Sequence, residues 1–142
     1  MIGYKVLYKE KNKLYSNNYE LFREYEEKTI KELKRRGLLL SYALNKTTRA
    51  NKHLLDKGLG IAVFKYKADA LNLMHYTDNQ VIYKCKCKII PFENRMFGRA
   101  NINDLACVVD FSKDSYRKEL YLEWPDGTIL CEEVTLLELI KG

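Results

Sequence analysis

Residues 80–104, QVIYKCKCKIIPFENRMFGRANIND, are the stretch from which the fold is best predicted. In its first half one set of side chains alternates with another: Val81, Tyr83, Cys85, Cys87 and Ile89 against Ile82, Lys84, Lys86 and Lys88. A period of two is typical of a strand with one buried face and one basic, solvent-exposed face. Pro91 ends the alternation, so the stretch predicts a strand followed by a polar segment.

Patterns on both sides of this strand predict the other elements. GYKVLYK and LYS, separated by a KNK turn, predict an N-terminal hairpin with Tyr4, Val6 and Tyr8 on one face. Residues 19–56 show helical spacing and predict a helical arm or a helix pair. GLGIAVFKY predicts a strand, and KADALNLMHY predicts a short helix with Ala68 and Leu71 inward. LACVVDF, KELYLEW and TILCEEV predict three late strands, and LLELI fits a helical turn or a strand.

The order of these elements predicts an α+β fold with a mainly antiparallel sheet and an N-terminal helical arm or helix pair. The 142 residues fit a single domain over 1–142, with the helical arm at 19–56 and mostly strands over 59–142. The chain shows neither the pattern of a secretory signal nor an apolar run long enough for a membrane span. We therefore expect a cytoplasmic protein that does not associate with membranes.

The four cysteines predict reduced core residues. Cys85 and Cys87 stand two apart on one strand face, which is too far for a comfortable disulfide in an extended chain. Cys107 and Cys131 do not form the second close pair that a zinc site needs, and no histidine has ligand-like spacing. The sequence therefore predicts no metal site.

Motifs of catalysis are missing from the sequence, which contains no P-loop, dinucleotide-binding glycine fingerprint, HExxH or GxSxG. His53 and His75 fit ordinary surface or helix-end positions. The acid pairs at 26–27 and 132–133 fit solvated faces, because nothing apolar surrounds them to raise a carboxyl pKa. We predict a binding protein without catalytic residues or a cofactor.

The net charge of +6 and the pI near 9.0 allow an anionic partner. A DNA-reading protein would need a basic recognition helix, and the basic residues here share their helix with glutamates. A single-strand RNA binder would need rings alternating on an exposed strand, whereas KCKCK offers lysines alone. A nucleic-acid partner is therefore not expected.

The polar segment after the strand is the best candidate for ligand binding. Arg95 and Arg99 can hold phosphates through planar, bidentate contacts, and Asn101 can read a base edge or a ribose hydroxyl. Phe97 can stack on a base, as can Trp124 farther along the chain. Eleven tyrosines, among them Tyr4, Tyr8, Tyr15, Tyr19 and Tyr25, add polar-edged aromatic surface of the kind that binding interfaces use. The alternative is a solvated connection in which Phe97 fills the core.

The layout of the chain resembles that of small phage and prophage proteins. GYKVLYKEKNKLYS, a helical arm, GIAVFKYKADALNLM, QVIYKCKCKI and a late WPDGT turn are similar to the first family of Thoeris anti-defence proteins. The likeness covers most of the chain through the order of its elements rather than through one motif. That family consists of oligomeric sponges, which bind cyclic ADP-ribose isomers made by TIR-domain enzymes and hold them unchanged.

The resemblance implies a homo-oligomer, a dimer or larger, with an adenine-bearing nucleotide between subunits in the cytoplasm of a host bacterium. Arg95 and Arg99 would hold the pyrophosphate, Phe97 or Trp124 would stack on adenine, and Asn101 would contact the base or a ribose. Arg23 of the helical arm would complete the pocket from the other subunit. These six residues are the predicted ligand-binding site.

Two other functions stay open at the level of sequence. The chain also resembles the ADP-ribosyltransferase core, in which LYS at 14–16 and Glu123 or Glu132 would serve an NAD-cleaving enzyme. A protein-interaction module with a basic face is the third possibility.

Overall fold

The computed structural model describes residues 1–17, 19, 25–37, 39–56, 60–74, 79–90 and 127–142. Its helices and strands are, in chain order, β1 (Ile2–Glu10), β2 (Lys13–Ser16), α1 (Glu27–Arg35), β3 (Ser41–Tyr42), β4 (Thr47–Arg49), α2 (Lys52–Asp56), β5 (Ile61–Phe64), α3 (Lys67–Leu73), β6 (Gln80–Ile89) and β7 (Thr128–Lys141). All pairs between these strands are antiparallel. The predicted α+β class with a mainly antiparallel sheet is confirmed. No helix within the described ranges is long and apolar enough to cross a membrane.

The sheet closes on itself through four strands. β6 pairs with β1 along one edge and with β7 along the other, and β5 joins β7 to β1 on the opposite side. The link from β5 to β1 is a single pair, Tyr4 with Phe64. A second link lies farther along β1 and β7, where β2, β3 and β4 follow one another and Thr48 Oγ1 donates to Ser41 O at 3.0 Å. The strands therefore enclose an inner face.

The core has two parts, one on each face of the closed sheet. The inner core is drawn from five strands and contains Leu7, Tyr42, Ile61, Val63, Val81, Cys85, Cys87, Cys131, Val134 and Leu136. The outer core lies beneath α3 and contains Val6, Phe64, Ala70 and Ile82. Because β1 contributes to both parts, it is buried on both faces.

The alternation of β6 is confirmed. Cys85 and Cys87 lie in the inner core, Tyr83 and Ile89 pack against it, and the lysines point to the opposite face. The N-terminal hairpin is also confirmed by the pairing of β1 with β2 from Leu7 opposite Ser16 to Glu10 opposite Lys13. Residues 136–140, for which a helical turn and a strand were both considered, belong to β7.

The second helix predicted within residues 19–56 is limited to α2 (Lys52–Asp56), and its expected first part, through residues 40–49, forms strands instead. Helix α1 ends at Arg35, and Gly37 adopts a positive φ of 77° that stops the helix. Ser41 and Tyr42 then pair with β2, and the β-branched Thr47 and Thr48 pair with β7 as β4. Leu40, one of the leucines of this stretch, packs against the inner core of the same chain.

Helix α3 forms where it was predicted, and Leu71 packs against the sheet as expected, but Ala70 takes the inward position predicted for Ala68. Ala70 is completely buried against the outer core, while Ala68 is exposed. The helix begins at Lys67, so Ala70 lies one turn later on the face that also presents Leu71, Leu73 and Met74 to the sheet.

The closure between β1 and β5 depends on the missing side chain of Gly3. A Cβ at this position would lie 2.6 Å from Val63 Cγ1 and 3.0 Å from Phe64 O. We expect Gly3→Ala to lower the free energy of unfolding by about 1–3 kcal/mol, the usual cost of overpacking a core. Urea denaturation measures this change. Val63→Ala removes the closest atom, so the double variant should lose less stability than the two single variants together; strict additivity would contradict the contact.

Candidate functional site

The predicted ligand-binding residues Arg23, Arg95, Phe97, Arg99, Asn101 and Trp124 lie outside the residues that the structure describes, so this site stays a prediction. The structure does show where the segment 91–126 is attached. Ile90 N donates to Leu130 O at 3.0 Å, and Lys65 N donates to Gly127 O at 3.0 Å. Leu130 lies near the start of β7 and Gly127 directly precedes that strand, so the segment leaves and rejoins the closed sheet at the same end.

The basic face of β6 is shared with carboxylates of β7. Lys84 Nζ lies 3.8 Å from Glu138 Oε1, and Lys88 Nζ lies 2.6 Å from Glu132 Oε1. The bond from Glu132 raises the pKa of Lys88. Arg49 of β4 likewise lies 3.3 Å from Glu133. This face is therefore a set of solvent-exposed cross-strand ion pairs, each worth little in stability, rather than a uniformly positive surface.

Three of the predicted tyrosines come together on the outer face. Tyr15, Tyr8 and Gln80 form one row across β2, β1 and β6, because each stands opposite the next in the strand register. Tyr19 covers this row, with its ring stacked on Tyr15 at a centroid distance of 4.5 Å and tilted against Tyr8 at 5.3 Å. Glu10 follows two residues after Tyr8 on the same face of β1. We call these five residues the tyrosine cluster.

Two acceptor atoms in the tyrosine cluster are buried without a hydrogen-bond partner in the described structure: Glu10 Oε2 and Gln80 Oε1. The amide nitrogen of Gln80 is satisfied, since Nε2 donates to Asn17 Oδ1 at 2.9 Å. The hydroxyl of Tyr19 hydrogen-bonds the Glu10 carboxylate, and this bond, with burial, raises the pKa of Tyr19 to about 12. Unpaired buried acceptors are uncommon and costly, so they point to a missing donor.

A cation borders the same cluster. Lys34 Nζ of α1 lies 5.1 Å from the centroid of the Tyr15 ring, within the range of a cation–π contact. The cluster therefore combines an aromatic wall, two acceptors that need a donor, and one positive charge. These are the contacts that a nitrogen-rich aromatic ring carrying phosphates would use.

The inner face contains a second unusual group, the amine of Lys5. This residue is 7% exposed, and its Nζ donates to Ala62 O at 2.7 Å and lies 5.7 Å from the Tyr42 ring centroid. Burial lowers the pKa of Lys5 to about 8, although the adjacent Cys85 and Cys131 thiols oppose this change. Burial also raises the pKa of Tyr42. The inner face is thus partly polar.

Three reduced thiols, Cys85, Cys87 and Cys131, complete this polar part of the inner core. Interaction with the neighbouring thiols lowers the pKa of Cys87, whereas interaction with Cys87 and burial raise the pKa of Cys85 and Cys131. Within the described ranges no group of three or more His, Cys, Asp or Glu side chains has an arrangement that could hold a metal ion. Cys107 lies outside those ranges.

Glu10, Gln80 and Lys5 are not among the site residues predicted from the sequence. A signal was available for Lys5, because Gly3, Lys5 and Leu7 alternate with Tyr4, Val6 and Tyr8, so a strand buried on both faces would place Lys5 inside. Gln80 comes opposite Tyr8, two residues from Glu10, only through the register of β1 with β6, which local patterns do not determine. Neither protein-family models, nor curated proteins, nor solved structures give a match to this chain.

The amine of Lys5 predicts a pH dependence of stability. Because its folded-state pKa of about 8 lies below the unfolded value of 10.5, the unfolded chain binds more protons in this window. Lys5 therefore destabilises the fold below pH 8, and this penalty is removed as the pH rises towards 10. Lys5→Met should be more stabilising, relative to wild type, at pH 7 than at pH 10, by about 2 kcal/mol.

Denaturant unfolding at both pH values measures this difference. Subtracting the wild-type free energy of unfolding at each pH removes the contribution from the titration of Tyr42 and the thiols. Lys9→Met is the matched control, because Lys9 is exposed on the same strand. An equal effect of Lys5→Met at pH 7 and pH 10 would contradict a lowered pKa at this position.

Proposed function

We propose that this chain binds and sequesters, without turnover, an adenine-bearing nucleotide signal of the cyclic ADP-ribose type. The observation that carries the proposal is the tyrosine cluster, in which two buried acceptor atoms have no hydrogen-bond partner within the described ranges and lie beside stacked tyrosine rings. The resemblance in element order to Thoeris anti-defence proteins supports the same ligand class. In that setting a phage-encoded, homo-oligomeric protein in the bacterial cytoplasm would counter TIR-based immunity by removing its signal.

The chemistry of adenine suits this cluster. Its exocyclic amine has two N–H donors, which match the unpaired oxygens of Glu10 and Gln80. Its ring can stack on tyrosine, and a nearby cation such as Lys34 favours the phosphates. In this proposal Arg95 and Arg99 supply the remaining contacts to the pyrophosphate, and Phe97, Asn101, Arg23 and Trp124 line the rest of the pocket.

The enzyme alternative gains no supporting observation from its described residues. The Ser16 hydroxyl accepts from Leu40 N at 2.8 Å and donates to Leu40 O at 3.3 Å. Glu132 is ion-paired with Lys88. Both candidates therefore have structural partners, while Glu123 lies outside the described residues. Binding without turnover is the simpler proposal, because it requires no catalytic role for Ser16 or Glu132.

A pocket shared between two copies of the chain fits the placement of the two regions. The tyrosine cluster includes Gln80 at the start of β6, whereas the segment with Arg95 and Arg99 leaves the sheet after Ile90. Ten residues of strand separate these points by about 30 Å. In this proposal two copies arranged in opposite directions bring the two ends together.

Ligand binding tests the proposal directly. Cyclic ADP-ribose and ADP-ribose are added to the wild type and to Glu10→Gln, Arg99→Ala and Glu138→Gln. A true ligand at a hundredfold excess over its dissociation constant should stabilise the wild type by about 2.7 kcal/mol in thermal unfolding. Glu10→Gln should weaken binding about tenfold or more, because it loses a charged acceptor. Glu138→Gln is the control, since this glutamate pairs with Lys84 outside the cluster.

Recovery of the ligand separates sequestration from turnover. The complex is denatured, and the released nucleotide is compared with the input by chromatography; sequestration requires identical material. Release of nicotinamide from NAD, or an altered nucleotide, would show that the protein is an enzyme instead.

A mixing experiment tests whether the pocket lies between copies. Glu10→Gln and Arg99→Ala should each bind poorly alone. In a mixed dimer one site combines the intact cluster of one copy with the intact arginine of the other, so unfolding and refolding the two variants together should restore about a quarter of the sites. No recovery in the mixture, with both variants defective alone, would place all contacts within one chain.

A further inference from the structure

Two side-chain amides lie next to the tyrosine cluster at the start of β6. Asn79, which directly precedes the strand, donates from Nδ2 to the Tyr8 hydroxyl oxygen at 2.9 Å. Gln80, the first residue of the strand, donates from Nε2 to Asn17 Oδ1 at 2.9 Å. Both amide nitrogens are therefore engaged by structural partners, and the acceptors Gln80 Oε1 and Glu10 Oε2 have no partner within the described ranges.

The direction in which the Gln80 amide points is determined by its hydrogen bond. This side chain is 6% exposed, and the oxygen and nitrogen ends of an amide differ little in size, so packing alone does not distinguish them. Because Asn17 offers an oxygen, it takes the nitrogen end of Gln80, and the oxygen end is the one left without a partner in the described structure. With a donor at position 17, the amide would be reversed, and its NH2 group would take the place of the oxygen.

The polarity of the amide decides which groups of a ligand the tyrosine cluster accepts. The Glu10 carboxylate oxygen and the Gln80 carbonyl oxygen both need a donor, so an amine satisfies them and a carbonyl group does not. Adenine and hypoxanthine are bases of nearly equal size that stack alike, and they differ in the group on C6, which is an amine in adenine and a carbonyl in hypoxanthine. Buried acceptors discriminate strongly against a ligand that lacks the donor they need.

We propose that Asn17 sets the base specificity of the nucleotide site, by holding the Gln80 amide with its oxygen available to an exocyclic amine of the base. This inference rests on the proposed function and deepens it, because the site then selects purines with an amine on C6 and rejects those with a carbonyl there. Asn17 is a positioning residue, since it acts through Gln80. The two residues are 63 positions apart in the chain and meet where the end of β2 approaches the start of β6.

Calorimetric titration of the wild type with matched nucleotides tests the specificity. The ligands are cyclic ADP-ribose, ADP-ribose and the analogue of each in which hypoxanthine replaces adenine, so the phosphates, the riboses and the ring stacking are the same within a pair. We expect the adenine member of a pair to bind about tenfold more tightly or better, because the donor on C6 is replaced by an acceptor in the other member.

Two variants of similar size at position 17 test the role of its side chain. Asn17→Asp keeps an acceptor, so its preference for the adenine nucleotide should equal that of the wild type. Asn17→Leu offers no acceptor, so the Gln80 amide can reverse and donate to a carbonyl on C6, and the preference should fall about threefold or more, towards equal affinity. Each preference is a ratio of two dissociation constants for one variant, so changes in stability or net charge affect both ligands alike and cancel.

The outcomes separate this inference from the proposed function. Equal affinity of the wild type for the two members of a pair, or an Asn17→Leu variant that keeps the wild-type preference, would overturn the role of Asn17 while leaving nucleotide binding in place. Binding of none of the four ligands would overturn the proposed function itself and this inference with it. Since the wild-type comparison needs no variant, a substitution that prevents folding does not leave the specificity untested.

Discussion

Pairing of β6 on both of its edges is the interaction on which the rest of the structure depends. β1 lies along one edge from Ile2 to Tyr8, and β7 lies along the other from Cys131 to Lys141. Strands from the beginning and the end of the described chain are thereby held together by one central strand. Because side chains alternate, the same ten residues provide two of the three thiols of the inner core and the lysines of the outer ion pairs. Register errors in β6 would exchange these two faces and lose both sets of contacts.

The polar character of the inner core is costly for stability. A buried amine such as Lys5 loses its hydration, and its described contacts are one carbonyl, one aromatic ring and neighbouring thiols. An apolar side chain of similar length would serve the packing better.

Local patterns were sufficient to predict the elements that local sequence determines. The alternation around Cys85 and Cys87 predicted a strand with the correct inner face. Beyond Gly37 the helical spacing of leucines was outweighed by pairing partners far away in sequence, so Tyr42 became part of a strand. Closure of the sheet is likewise non-local, since Tyr4 and Phe64 meet only after both strands have paired elsewhere.

The same limit separates the two halves of the candidate site. Two arginines, a ring and an amide within residues 95–101 can be recognised as a phosphate-binding composition because they lie together in sequence. The tyrosine cluster combines Tyr8, Glu10, Tyr15, Tyr19 and Gln80, and only the register of three strands brings these residues together. A donor-poor aromatic cluster alone would hold a base weakly, and a basic segment alone would bind any phosphate. In the proposed function, specificity for one nucleotide needs both, because the base and the phosphates would then be recognised by separate groups held at a fixed spacing.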